Sequence, residues 1–86
     1  MTPSAEDIQA WIVARVSRLT NVPAVDIDAT APLTRHGLDS VALIALAADL
    51  EKWLGYRFHE NPLDRHPTIE SLARFLSEAV VKQKGS

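Results

Sequence analysis

The sequence predicts an all-α fold, a small four-helix bundle. It has three main helices plus a short third helix, with a long loop between helices one and two. Three observations predict it. Apolar residues recur every three or four positions in three segments, the period of one helix face. Capping and stop residues bound those segments. No stretch sustains the alternation of a half-buried strand, and no internal repeat is visible. At 86 residues the chain is expected to form a single domain over residues 1–86, with an ordered core over about 4–81 and a tail at 82–86.

Helix one starts at Thr2-Pro3-Ser4-Ala5-Glu6-Asp7. Ser4 can cap it, with Asp7 three residues on as the second half of a capping box. Thr2 as cap with Pro3 at the first helical position is an equal alternative. Ile8, Trp11, Ile12, Val16 and Leu19 then follow at helical spacing to about Thr20. Asn21 to Leu38 reads as a long connection, because Pro23, Pro32 and Asp26-Ile27-Asp28 break any period. Val22, Val25, Ile27 and Leu33 are its expected anchors to the core, and Pro32-Leu33-Thr34-Arg35 is expected to make a single helical turn. A loop this long in so small a domain is functional or packed by its own side chains.

Helix two begins at Asp39, a good cap, and ends near Leu54, with Gly55 as its stop. Asn61-Pro62-Leu63-Asp64 reads as the short third helix, capped by Asn61. Thr68 caps the last helix, whose stripe is Ile69, Leu72, Ala73, Leu76, Ala79 and Val80. Lys82-Gln83-Lys84 suits its negative dipole end.

Helix two carries two apolar stripes. At about 100° per residue, Leu43, Leu46, Ala47, Leu50 and Leu54 fall on one side. Val41, Ile44, Ala45 and Ala48 fall roughly opposite, running from beside Ser40 to Lys52. The larger residues mark the first stripe as the core face. The second is then an exposed apolar patch, the mark of a partner site.

Ahead of that patch stands Gly37-Leu38-Asp39-Ser40. It places a serine hydroxyl in the first turn of a helix, where unpaired N–H groups and the positive dipole end meet. A phosphate esterified to Ser40 would sit in that field. Asp39 caps the helix, Gly37 supplies a tight turn, and Leu38 pins the loop to the core.

Composition narrows the alternatives. Net charge is −2, and the nine Lys and Arg residues are scattered, with no run longer than one. This argues against nucleic acid as a partner, which needs a basic stripe. There is no cysteine, hence no disulfide framework and no Cys-based zinc site. No apolar stretch reaches membrane-spanning length, and no signal peptide is visible, so no membrane partner is expected and the expected location is cytoplasmic. His36, His59 and His66 are not spaced as ligands on one helix face, so no metal is expected. A Ser40–His36–Asp39 triad is rejected, since Asp39 and Ser40 are adjacent and no oxyanion loop is evident. No catalytic residue is expected. Trp11, Trp53, Tyr56 and Phe58 read as packing residues, with Trp53 and Tyr56 placed to line the mouth of a cavity. Arg57, Arg65 and Arg74 read as solvated charges, the first two flanking the short third helix.

The chain resembles the acyl carrier protein family. Gly37-Leu38-Asp39-Ser40 matches the family's G-x-D-S attachment motif at the start of its second helix. His66-Pro67-Thr68-Ile69 followed by Leu72-Ala73 matches the turn into the last helix of polyketide-synthase-type carriers. The resemblance extends from Ser4 to Val81. It implies that Ser40 carries covalent 4′-phosphopantetheine, transferred from coenzyme A, with Asp39, Gly37 and Leu38 forming the attachment site. It implies a non-catalytic carrier that holds acyl or polyketide intermediates as thioesters and presents them to enzymes in turn. The implied partners are a phosphopantetheinyl transferase, an acyl-loading enzyme (an acyltransferase or an adenylating ligase) and a ketosynthase or other synthase domains. The chain is expected to be a monomer that docks through Val41, Ile44, Ala45, Ala48 and Lys52.

Fatty-acid-synthesis carriers present an acidic second helix, whereas here the outward stripe is apolar. That favours a polyketide-type or mixed pathway. Peptide-synthetase carriers typically have Gly-Gly-His-Ser, so Asp39 counts against a peptidyl carrier. A helical interaction domain without a prosthetic group, in which Ser40 is only a first-turn serine, is the rival from another class.

Overall fold

The computed structural model describes residues 3–58 and 62–85. Three helices carry the fold: α1 (Ala5–Thr20), α2 (Ser40–Leu54) and α3 (Ile69–Gly85). Between them lie three short 3₁₀ turns, Ala24–Asp26, Leu33–His36 and Pro62–Asp64. The expected short third helix is thus one 3₁₀ turn, and its expected cap Asn61 lies outside the described residues. Among the described residues β-type pairing amounts to one isolated bridge, Pro32 with Thr68.

Local chemistry sets the ends of α1 and α2. Ser4 opens α1 with a complete capping box. Its Oγ accepts from Asp7 N–H at 3.1 Å, and Asp7 Oδ2 accepts from Ser4 N–H at 3.1 Å. Of the two caps open in the sequence, this selects Ser4. Asn21 closes α1 in the left-handed conformation (φ 61°), which asparagine tolerates better than most residues. Gly55 closes α2 in the same way (φ 66°). The N–H groups of Gly55 and Tyr56 both return to the Glu51 carbonyl.

The core is apolar throughout. Ile8, Ile12 and Val16 of α1, Leu46, Leu50 and Leu54 of α2, and Ile69, Leu72, Leu76 and Val80 of α3 are buried together. Among the described residues no polar or charged side chain is buried. Leu19, read as part of the α1 stripe, is instead 45% exposed. The stripe ends one turn early because the chain turns away at Asn21.

The long loop is held mainly by backbone bonds. Leu33 N–H donates to the Pro67 carbonyl at 2.8 Å, and Glu70 N–H to the Ala29 carbonyl at 2.9 Å. The second bond satisfies a first-turn amide of α3 that has no partner within its own helix. Thr68 Oγ1 takes another, from Ser71 N–H at 3.1 Å. Ile27, Leu33 and Leu38 are buried anchors, and Val22 packs against the core. Val25 is a correction: at 92% exposed it anchors nothing. Its 3₁₀ turn is hydrogen-bonded within itself, Asp26 N–H to the Pro23 carbonyl, and needs no anchoring side chain.

Two side-chain contacts tie α1 to α2 on one flank: Trp11 stacks on Trp53 at 5.2 Å between ring centroids, and Arg15 pairs with Asp49 at 3.5 Å. Within α1 the Arg15 guanidinium lies 5.0 Å from the Trp11 ring.

Candidate functional site

The site is assembled by the segment leading into α2. The Leu33–His36 turn is capped by Gly37, whose φ of +86° lies where a Cβ is disfavoured. Gly37 reverses the chain so that Leu38 enters the core while Asp39 and Ser40 stay at the surface. Asp39 then caps α2, its Oδ1 accepting from Ala42 N–H at 2.8 Å. The Asp39 carbonyl accepts the first helical bond, from Leu43 N–H at 3.0 Å. The amides of Ser40 and Val41 remain as first-turn donors without an intrahelical acceptor.

Ser40 is therefore the exposed first residue of α2. Its hydroxyl makes no hydrogen bond among the described residues. The first turn of α2 contains no acidic side chain after the cap. These features suit a hydroxyl that is to carry an anionic group, because the positive helix end favours the charge and the one adjacent carboxylate, Asp39, is engaged by the Ala42 amide.

The stripe read as outward-facing is exposed. Val41 is 73% and Ile44 63% exposed, and Ala45, Ala48 and Lys52 are also at the surface. Leu46, Leu50 and Leu54 fill the opposite face, with Leu43 and Ala47 packed against the core. Thus Gly37-Leu38-Asp39-Ser40 stands at the head of an apolar ridge.

The histidines serve the scaffold. His36 Nε2 lies 3.0 Å from the Asp28 carbonyl, which can only accept, so the ring donates there. His66 stacks on Phe75 at 4.4 Å. His59 lies outside the described residues. With Asp39 spent on Ala42 and His36 on Asp28, the triad drawn on paper is not assembled. Among the described residues no group of three His, Asp or Glu side chains forms a metal site. Nor is any helix there long and apolar enough to cross a membrane.

Near the end of α2 lies an open depression of about 450 Å³, bordered by Ala48, Glu51, Lys52, Gly55, Tyr56 and Arg57. Tyr56 borders it, but Trp53 is committed to its stack on Trp11. Phe58 packs against Tyr56, ring centroids 5.7 Å apart. The sequence places a cavity mouth at Trp53 and Tyr56, and only Tyr56 borders the depression; Arg57, read as a solvated charge, borders it too.

A family model described as the phosphopantetheine attachment site matches residues 10–76. The chain belongs to the phosphopantetheine-binding carrier proteins. The acyl carrier protein TtuC of Teredinibacter turnerae is 30% identical over 76 residues, covering 88% of this chain and 87% of that protein. A segment of the highly reducing polyketide synthase NEC1 of Pyricularia oryzae is 34% identical over 74 residues. That is 81% of this carrier chain but 3% of the synthase.

Among solved structures, Asl1650, an acyl carrier protein from Anabaena sp. PCC 7120 with a variant phosphopantetheinylation-site sequence, superposes with a TM-score of 0.84. It is 34% identical, covering 93% of this carrier and 92% of that chain. A free-standing peptidyl carrier protein from Acinetobacter baumannii superposes with a TM-score of 0.82 at 27% identity, covering 90% and 96%. As a member of this family the carrier is a non-catalytic protein, and phosphopantetheine is its family's prosthetic group.

Proposed function

We propose that this carrier protein is phosphopantetheinylated on Ser40 and carries acyl intermediates of a polyketide or fatty-acid-like pathway. The observation that supports this most directly is the position of Ser40. It is exposed in the first turn of α2, capped from Asp39, and stands at the head of an exposed apolar ridge.

The residues present fit the group. Ser40 would hold it through a phosphodiester. The Ser40 and Val41 amides and the α2 dipole would stabilise the phosphate charge. When attached, the group supplies a terminal thiol that binds an acyl group as a thioester. The chain contains no cysteine of its own to compete with that thiol. Asp39 fixes the first turn, Gly37 fixes the approach of the loop, and Leu38 anchors it. Tethering in this way replaces free diffusion of an intermediate with a high local concentration at each enzyme.

The ridge of Val41, Ile44, Ala45 and Ala48, with Lys52 at its end, would dock the partners. These are the phosphopantetheinyl transferase, an acyl-loading enzyme (an acyltransferase or an adenylating ligase), and a ketosynthase or other synthase domain. The likeness to a polyketide synthase segment supports a polyketide pathway, and Asp39 before Ser40 supports an acyl over a peptidyl cargo.

The test is intact-mass spectrometry after incubation with coenzyme A, magnesium and a broad-specificity phosphopantetheinyl transferase. The expected result is a gain of one phosphopantetheinyl group on the wild type and none on Ser40→Ala. No gain on folded wild type with an active transferase would instead support a helical interaction domain in which Ser40 is unmodified.

A further inference from the structure

We propose that the docking surface continues past the ridge into the depression at the C-terminal end of α2, and that it fits a partner protein presenting carboxylates beside an apolar side chain. The inference rests on the reading of α2 as the docking helix.

Charge decides the kind of partner. Two acids lie in the second half of α2, and both are engaged inside the chain. Asp49 pairs with Arg15 at 3.5 Å. Glu51 Oε2 accepts from Phe58 N–H at 3.2 Å. The exposed cations beside them, Lys52 and Arg57, make no ion pair among the described residues. The acids are thus partly satisfied from within, while the cations are left to face outward. Both cations border the depression, as does Glu51, so the charged groups on its rim still leave one net positive charge.

Shape supplies the rest. Gly55 presents no side chain, and nothing lies within 4 Å of where a Cβ would stand. Ala48 adds only a methyl group, and Tyr56 offers a half-buried ring. An apolar side chain has room there, beside two cations that would meet carboxylates. Ala48 and Lys52 belong to both ridge and depression, so the two form one surface. Lys52 stands twelve residues beyond Ser40, roughly 18 Å along the helix. A partner gripping this end leaves the attachment serine clear.

Two cations are too few for nucleic acid, where affinity grows with the number of phosphates neutralised. They also give little hold on an anionic membrane.

The test uses the isotope-labelled chain and amide chemical shifts. The first probe is an acetylated peptide with one leucine flanked by aspartates. Its isomer with lysines in place of the aspartates is the second, and phosphatidylglycerol vesicles are the third. The expected result is saturable shifts at Ala48, Lys52, Gly55, Tyr56 and Arg57 with the aspartate peptide alone. These should diminish with added salt, and binding should weaken roughly tenfold in the Lys52→Glu/Arg57→Glu double variant. Both positions are exposed, and circular dichroism checks that the variant is folded.

The proposal fails if no localised shifts appear up to about 5 mM peptide, since a few rim contacts support millimolar binding. It fails equally if the lysine isomer binds as well, or if only the vesicles produce a response. Phosphopantetheine loading is measured separately by mass. Normal loading without peptide shifts overturns this inference alone, whereas absent loading of the wild type overturns the proposed function.

Discussion

The two faces of α2 make opposite demands, and substitutions at Ile44 and Leu50, about one and two-thirds turns apart, separate them. Ile44 is 63% exposed, so about a third of its side chain is removed from water. Full burial of an isoleucine stabilises by about 1.5–3 kcal/mol, so the buried third contributes at most about 1 kcal/mol. Ile44→Asp adds a few tenths of a kcal/mol from helix propensity. Leu50 is fully buried against α1 and α3 side chains. Leu50→Ala is expected to cost about 2–5 kcal/mol, the sum of lost transfer energy and the cavity left behind.

A chain of 86 residues has a total stability of roughly 4–13 kcal/mol. The first change is therefore tolerable, and the second approaches the whole. At about 4–8 °C per kcal/mol for a domain of this size, Ile44→Asp should lower Tm by no more than about 10 °C, and Leu50→Ala by roughly 10 °C or more. Urea and thermal unfolding followed by far-UV circular dichroism measure both. Loss of transfer to partner enzymes with a near-normal midpoint is the expected behaviour of Ile44→Asp. Should Ile44→Asp destabilise as much as Leu50→Ala, the ridge is core and the docking assignment is wrong.

Other consequences can be measured on the same footing. Asp39→Ala removes the acceptor of the Ala42 amide and should cost about 1 kcal/mol, whereas Asp39→Asn should cost little, as read from urea midpoints. Gly37→Ala meets no steric neighbour, so its cost is purely conformational, about 1–2 kcal/mol for a Cβ at positive φ. Gly37→Asn should recover part of this, and equal midpoints for all three would refute the left-handed turn. The Asp28 carboxyl is held below its ordinary 3.8, first by the Thr30 hydroxyl, then by the Thr30 amide, with His36 and Arg35 adding smaller attractions. The folded state therefore resists this protonation more than the unfolded one does. Its stabilisation is complete above 3.8 and is lost as the pH falls through the lower folded value. The stability gap between wild type and Asp28→Asn should close on acidification, and a gap that stays constant would contradict the shift.

What could be read in advance was what side chains announce. Ser4 with Asp7, Asp39, and the glycines at 37 and 55 fixed helix ends through capping chemistry, which acts over three or four residues. The split of α2 into two faces followed from spacing alone. Backbone pairing across long separations left no such trace. Nothing in Ala29 or Pro67 foretells that their carbonyls receive Glu70 and Leu33. Val25 was misread because a branched apolar residue in a loop looks like an anchor, whereas a self-bonded 3₁₀ turn can hold it in water. Leu19 was misread because periodicity does not reveal where the chain turns away from the core, as it does at Asn21. The cavity mouth read at Trp53 and Tyr56 was half right: the outline of the depression depends on the path of the chain after Gly55, and Trp53 turns to its stack on Trp11 instead.

The Trp11–Trp53 stack has an optical consequence. The chain's two tryptophans stand in one pair with planes 14° apart, joining α1 to the flank of α2 beside the ridge. Its tryptophan signal therefore reports one stacked pair rather than two separate sites. Any partner that shifts α1 against α2 would change that stack. A partner that did so would register as a difference between the complexes of wild type and Trp53→Phe, without a label on either protein.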